Sequence, residues 1–150
     1  MKHVSFLNCL LIDGDNVQFQ HTEAVIRFCQ RYGALPSINA YGDWQQPPLS
    51  AHCKALTALG VTLVQQKRVC KNAADFRLAM DVAVMLEKRA AATYFLFTND
   101  GHFAAVCDHI RQAGSTVVVI GGNNKISRHL HALGIKVVNV ESIVKGLAKP

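Results

Sequence analysis

Carboxylates are scarce in this chain, and several stand where acids are unusual. Asp13 and Asp15 follow the apolar run Val4–Ile12, and Asp100 follows Thr93–Thr98. Solubility alone does not call for an acid at the end of a buried strand. Asp75 opens a long stretch of helical spacing between the third and fourth apolar runs. Carboxylates converging from separate strand ends make an oxygen-rich site suited to a hard cation such as Mg2+ or Mn2+. Such an ion lowers the pKa of a bound water and neutralises charge that develops on a phosphodiester. A plainer reading stays open at each position, because Asp and Asn after strands form turns and helix caps, and Asp100 or Asn16 could do only that. Asp81 lies six residues after Asp75, about 120° around a helix from it. It also lies four residues after Arg77, the spacing of an intrahelical ion pair, which gives Asp81 a supporting role.

The charge balance points the same way. The 150 residues include 16 Lys or Arg and 10 Asp or Glu, a net charge of +6. Setting aside Asp13, Asp15, Asp75, Asp81 and Asp100 leaves 16 bases against five acids, a charge of +11 on the remainder. An acidic pocket in a basic body is what a metal-dependent nuclease requires, and it favours nucleic acid over membrane as the partner. Lys67, Arg68, Lys71 and Arg77 flank Asp75, and Lys71 is spaced to steady its carboxylate or to meet a phosphate. Lys125 and Arg128 open the helix after Gly121-Gly122, where free backbone N–H groups also favour phosphate. Of seven histidines only His102, two residues after Asp100, is placed at the site.

The elements that must hold these residues follow from periodicity. Apolar runs of strand length occur at Val4–Ile12, Ser37–Tyr41, Val61–Val64, Thr93–Thr98, Thr116–Ile120 and Lys136–Val140. Helical spacing occupies Thr22–Tyr32, Leu49–Leu59, Ala73–Ala91, Phe103–Ala113, Ile126–Leu133 and Ser142–Leu147. Regular alternation with near-continuous apolar strands predicts an α/β domain around a mainly parallel sheet. In such sheets ligands bind beyond the carboxyl ends of the strands, where Asp13-Gly14-Asp15-Asn16, Gly42-Asp43-Trp44, Asn99-Asp100-Gly101-His102 and Gly121-Gly122-Asn123-Asn124 fall. The expected organisation is one domain over residues 1–146 and a tail over 147–150. Five cysteines without a close pair read as reduced thiols of a cytoplasmic protein. The apolar start runs into Asp13 without a small-residue cleavage site, and no run approaches the ~20 residues that span a bilayer. No membrane association is expected.

Four segments, in order, resemble the signatures of the NYN domain, the LabA-like branch of the PIN-like ribonuclease superfamily. They are Leu11-Ile12-Asp13-Gly14-Asp15-Asn16, Ala40-Tyr41-Gly42-Asp43-Trp44, Lys71-Asn72-Ala73-Ala74-Asp75 with Asp81, and Phe97-Thr98-Asn99-Asp100-Gly101-His102-Phe103. The resemblance spans nearly the whole chain. It implies a PIN-like, Rossmann-like α/β/α sandwich and Mg2+- or Mn2+-dependent cleavage of RNA, with DNA not excluded. Carried over by position, Asp13, Asp75 and Asp100 are the metal-binding carboxylates, and Asn16 orients Asp13 or the attacking water. His102 stands where the family usually has its last Asp. An imidazole there shifts the metal preference, contacts substrate or weakens the site, and Asp15 is a further acid available to compensate. Lys71, Arg77, Lys125 and Arg128 are the expected phosphate contacts.

Two other readings compete. Asp13-Gly14-Asp15-Asn16-Val17 also fits the D-x-D motif of haloacid-dehalogenase-like phosphatases, with Asp13 as nucleophile and Asp15 as general acid. That reading lacks an acidic pair at Gly121-Gly122-Asn123-Asn124. A non-catalytic NYN-like module that binds RNA or a protein would use the same basic surface. Trp44 and Tyr41 are available either to stack on a base or to fill the core. Specificity then falls to RNA shape or a protein partner, and a homo-oligomer also stays open.

Overall fold

The computed structural model describes residues 7–122 and 125–150. Its centre is a six-stranded sheet in which every pairing is parallel. The strands are β1 (Asn8–Asp13), β2 (Ser37–Gly42), β3 (Thr62–Gln65), β4 (Thr93–Phe97), β5 (Thr116–Gly121) and β6 (Lys136–Asn139). Their spatial order is β3-β2-β1-β4-β5-β6, so the direction of winding reverses between β1 and β4. That reversal opens a crevice at the carboxyl ends of these two strands.

The helices are α1 (Thr22–Gln30), α2 (Cys53–Ala58), α3 (Ala73–Glu87), α4 (Ala104–Gln112), α5 (Arg128–His131) and α6 (Val140–Val144). One core layer joins Leu10, Ile12, Phe95 and Phe97 to Val25, Cys29, Leu56 and Val140, from α1, α2 and α6. The opposite layer joins Cys9, Leu11, Tyr94 and Leu96 to Leu78, Val82, Cys107, Ile110 and Leu130, from α3, α4 and α5. Alternation along each strand therefore feeds two cores, and the result is the three-layer α/β/α sandwich anticipated from the sequence.

Element boundaries moved where capping decided them. β1 includes Asp13, which pairs with Tyr41 of β2 and is only 1% exposed. Residues 4–6 of the expected first strand, together with Asn123 and Asn124, lie outside the described residues. α3 ends at Glu87 rather than at residue 91, and Arg89 follows with a left-handed φ of 51°. α6 begins earlier than expected because the Asn139 side chain accepts the Glu141 N–H. In residues 147–150, which carry no helix or strand, the carbonyls of Ala148 and Lys149 accept from Arg31 and Lys136.

Trp44 and Tyr41 belong to the core rather than to a stacking surface. Their exposures are 5% and 1%, and the Trp44 indole N–H donates to the carbonyls of Ala40 and Val64. Gly14 lets β1 turn tightly beside β2: its N–H donates to the Tyr41 carbonyl at 3.0 Å, and a Cβ there would run into that same oxygen and the Trp44 ring. Gly14→Ala is expected to cost about 1–3 kcal/mol of stability in urea unfolding. A wild-type midpoint for that variant would contradict the close approach.

Candidate metal centre

Strand register brings the acids together. Ile12 pairs with Phe97, so the next residues, Asp13 and Thr98, emerge side by side on the face covered by α3 and α4. Two residues further, Asp100 leaves the end of β4, while α3 delivers Asp75 from its first turn across the same face. One carboxylate oxygen from each of Asp13, Asp75 and Asp100 lies within 4.8 Å of the others. Among the described residues this is the group of acids, histidines and cysteines arranged to hold an ion.

Hydrogen bonds fix the innermost acid. Thr98 Oγ1 donates to Asp13 Oδ2 at 2.7 Å, and Asn16 Nδ2 donates to the same oxygen at 2.9 Å. Both donors use Oδ2, which leaves Oδ1 without a donor among the described residues. Thr98 Oγ1 also accepts the Asp100 N–H at 3.0 Å, so one buried hydroxyl ties two of the acids into a single unit. Asn99 ties the surrounding loops together: its Nδ2 donates to the Asn16 carbonyl, and its Oδ1 accepts the Gly122 N–H. Asp100 is also a helix cap, accepting the His102 N–H at 2.8 Å, so it does the capping of the plainer reading while its carboxylate also belongs to the converging group. Thr98 is the site residue whose importance the sequence concealed. Its signal was a polar residue at the end of a run of four buried strand residues.

The electrostatics are those of a carboxylate cluster with His102 as its one basic neighbour among the described ion pairs. Burial pushes the Asp13 carboxyl up to about 6, against the hydrogen bonds from Thr98 and Asn16, with Asp15 and Asp100 adding repulsion. Asp75 is pushed up to about 7, first by burial and then by the charges of Asp13, Asp100 and Asp15. Among the described residues no lysine or arginine forms an ion pair with any of the three. An all-oxygen set with this much mutual repulsion fits a hard divalent cation, which relieves the repulsion when bound.

The other expected site residues divide. His102 stands beside the cluster rather than inside it: its Nδ1 is 2.9 Å from Asp100 Oδ1, and its side chain is 81% exposed. Asp15 is exposed on the turn after β1, outside the converging group. Asp81 takes the supporting place expected of it, accepting from Arg77 Nε at 3.2 Å and from the Tyr41 hydroxyl at 2.9 Å. Arg77 is thereby drawn toward Asp81. Lys71 is exposed and makes no ion pair with Asp75. Lys125 lines a cavity of about 370 Å³ with Asp15, Asn16, Asn99 and Glu141, and Arg128 is exposed at the start of α5.

This arrangement coincides with a family assignment. The chain matches the NYN domain over residues 9–138, a span that contains every acid of the cluster. It belongs to the NYN family. NYN domains are generally nucleases of PIN-like fold that act on nucleic acids and typically use divalent metals, and the acidic group here is compatible with metal binding. The fold is shared with the crystal structure of a protein of unknown function, VPA0982, from Vibrio parahaemolyticus. The TM-score is 0.77 at 15% identity, covering 95% of this chain and 98% of that one. None of the curated proteins compared matches the chain significantly. No described helix is long and apolar enough to cross a membrane.

A carboxyl whose pKa is raised on folding binds more protons folded than unfolded, so its contribution to stability falls as pH rises through the folded value. Without metal, the NYN domain should therefore lose stability between pH 5 and pH 8, by on the order of 2–3 kcal/mol after allowance for solvent screening at Asp75. Urea unfolding in chelator measures this, and Asp75→Asn should remove about half of the slope, the remainder belonging to Asp13. An equal slope in that variant would contradict the electrostatic account.

Proposed function

We propose that this NYN protein is a metal-dependent ribonuclease of the LabA-like branch, hydrolysing RNA phosphodiesters with Asp13, Asp75 and Asp100 as ligands of Mg2+ or Mn2+. The observation that carries this reading is the convergence of three carboxylates with no lysine or arginine paired to them among the described residues. When bound, the ion would supply an activated water and neutralise charge developing on the phosphodiester.

The chain's own residues do the rest. Thr98 and Asn16 hold Asp13 by Oδ2 and so present Oδ1 to the site. Asp75 comes from a different element than Asp13 and Asp100, so α3 must be docked for the ligand set to be complete. His102, 81% exposed and paired with Asp100, serves in this reading as a substrate contact beside the ion. Lys71, Lys125 and Arg128 are exposed bases available to phosphates on the flanks. Arg77 acts more indirectly, steadying Asp81 and through it the Tyr41 hydroxyl under α3. Asp15 adds negative potential at the rim.

The phosphatase reading needs Asp15 beside Asp13 as a proton donor, and Asp15 instead faces solvent on the turn. The non-catalytic reading gives no reason for the acids to be gathered. Retention of Asp13, Asp75 and Asp100 in one ligand-sized group favours catalysis. Five free cysteines, with Cys9, Cys29 and Cys107 buried and the Cys9 thiol pushed up to about 12 by burial, suit a reducing compartment and support a cytoplasmic setting.

Asp13→Asn and Asp100→Asn should each lower Mn2+- or Mg2+-dependent cleavage of single-stranded RNA by about 100-fold or more, while circular dichroism stays that of the wild type. Cleavage at the wild-type rate in either variant would refute the nuclease assignment. Salt-sensitive RNA binding by the wild type, with no cleavage in either metal, would favour the binding module.

A further inference from the structure

Phe76 follows the acid Asp75 directly and is 63% exposed, whereas among the described residues the other Phe, Tyr and Trp side chains are buried or half-buried. Leaving a phenyl ring in water forgoes a burial worth roughly 1.5–3 kcal/mol. The ring lines a groove of about 300 Å³ between α3 and α4, together with Asp75, Ala79, His102, Phe103 and Val106. The groove is thus apolar along its floor and meets the carboxylate cluster at Asp75, with the exposed His102 imidazole beside it.

We propose that Phe76 is a stacking platform for a nucleobase next to the scissile phosphate, making this groove a single-strand subsite. The inference rests on the nuclease reading for the identity of the substrate. Its occupant is argued from continuity and charge. The groove shares Asp75 with the carboxylate cluster, and the chain apart from its five site acids carries a net charge of +11, so a polyanionic strand drawn across the acids lays bases on a flank. An aromatic face accepts any base, and stacking binds single strands without reading sequence. Paired bases already stack on one another, so a platform of this kind selects unpaired RNA. It also supplies the aromatic contact that Trp44 and Tyr41, committed to the core, do not.

Met80 and Val84 continue the exposed stripe along α3, at 58% and 52% exposure. A protein partner on that stripe is the competing outcome, and the experiment separates the two. Asp13→Asn protein in chelator, which does not cleave under the nuclease reading, would be titrated by anisotropy with labelled decaadenylate and with an abasic decamer of equal charge. Phe76→Ala and Phe76→Leu should each weaken decaadenylate binding about 5- to 100-fold and leave the abasic strand unchanged. Phe76→Tyr should bind within about twofold of the parent, as stacking by a ring requires. Parent-like affinity in Phe76→Leu, or equal losses for both strands, would overturn the proposal. Unchanged RNA affinity with a change of oligomeric mass in light scattering would overturn it in favour of a protein contact. Because binding is read without turnover, failure of the nuclease reading would show separately, as a wild-type protein that cleaves RNA in neither Mn2+ nor Mg2+ or as cleavage that survives Asp13→Asn.

Discussion

Repulsion among three carboxylates is the constraint around which this NYN domain is organised. Asp13, Asp75 and Asp100 offer oxygens within 4.8 Å of one another, and among the described residues no lysine or arginine answers them. Two of the three have pKa values near neutrality, so a substantial part of their charge is suppressed by the fold itself. A protein selected only for stability would replace at least one of them, because unpaired charge taken out of water is costly. The rest of the chain holds them together. Parallel register sets Asp13 beside Thr98, the Thr98 hydroxyl bridges Asp13 and Asp100, and α3 crosses to bring Asp75.

The site divides into a rigid floor and an exposed rim. Asp13 and Thr98 are each 1% exposed at the strand ends, where sheet pairing limits their movement. His102, 81% exposed beside Asp100, belongs to the rim, while Asp15, Lys71, Lys125 and Arg128 are exposed on turns and at a helix start. Catalytic geometry benefits from the first arrangement and adaptation to a flexible strand from the second. The groove at Phe76 lies between them, close enough to share Asp75 and open enough to admit a base.

Much of this was legible in the sequence. Alternating apolar strands and helical stretches imply an α/β domain around a mainly parallel sheet, the NYN resemblance implies the three-layer sandwich, and Asp13 and Asp100 stand at strand ends that the fold brings together. Asp81 was readable from its spacing to Arg77 alone. What was not legible depended on direction and neighbours rather than on pattern. Asp13 is a strand residue because it pairs with Tyr41, and no local signal separates a strand's last residue from the first of a turn. Sequence leaves Tyr41 and Trp44 open between base stacking and the core, and it is partners on β2 and β3 and on α3 that bury them. Phe76 lies within an apolar helical run, and only the packing of α3 shows that its ring faces water. His102 is close to the cluster in sequence, but its short helical turn directs the side chain outward.

The central claim is that the carboxylate cluster is a divalent-metal site whose protons the ion displaces. Calorimetric titration of the metal-free protein with Mn2+ at pH 6.5, in two buffers of different ionisation enthalpy, tests it most directly. At that pH Asp75, with its value of about 7, is mostly protonated and Asp13, at about 6, is partly so. The account predicts saturable binding with proton release at pH 6.5 and none at pH 9, and loss of that binding in Asp13→Asn. Absence of saturable binding, or binding without proton release at pH 6.5, would contradict it.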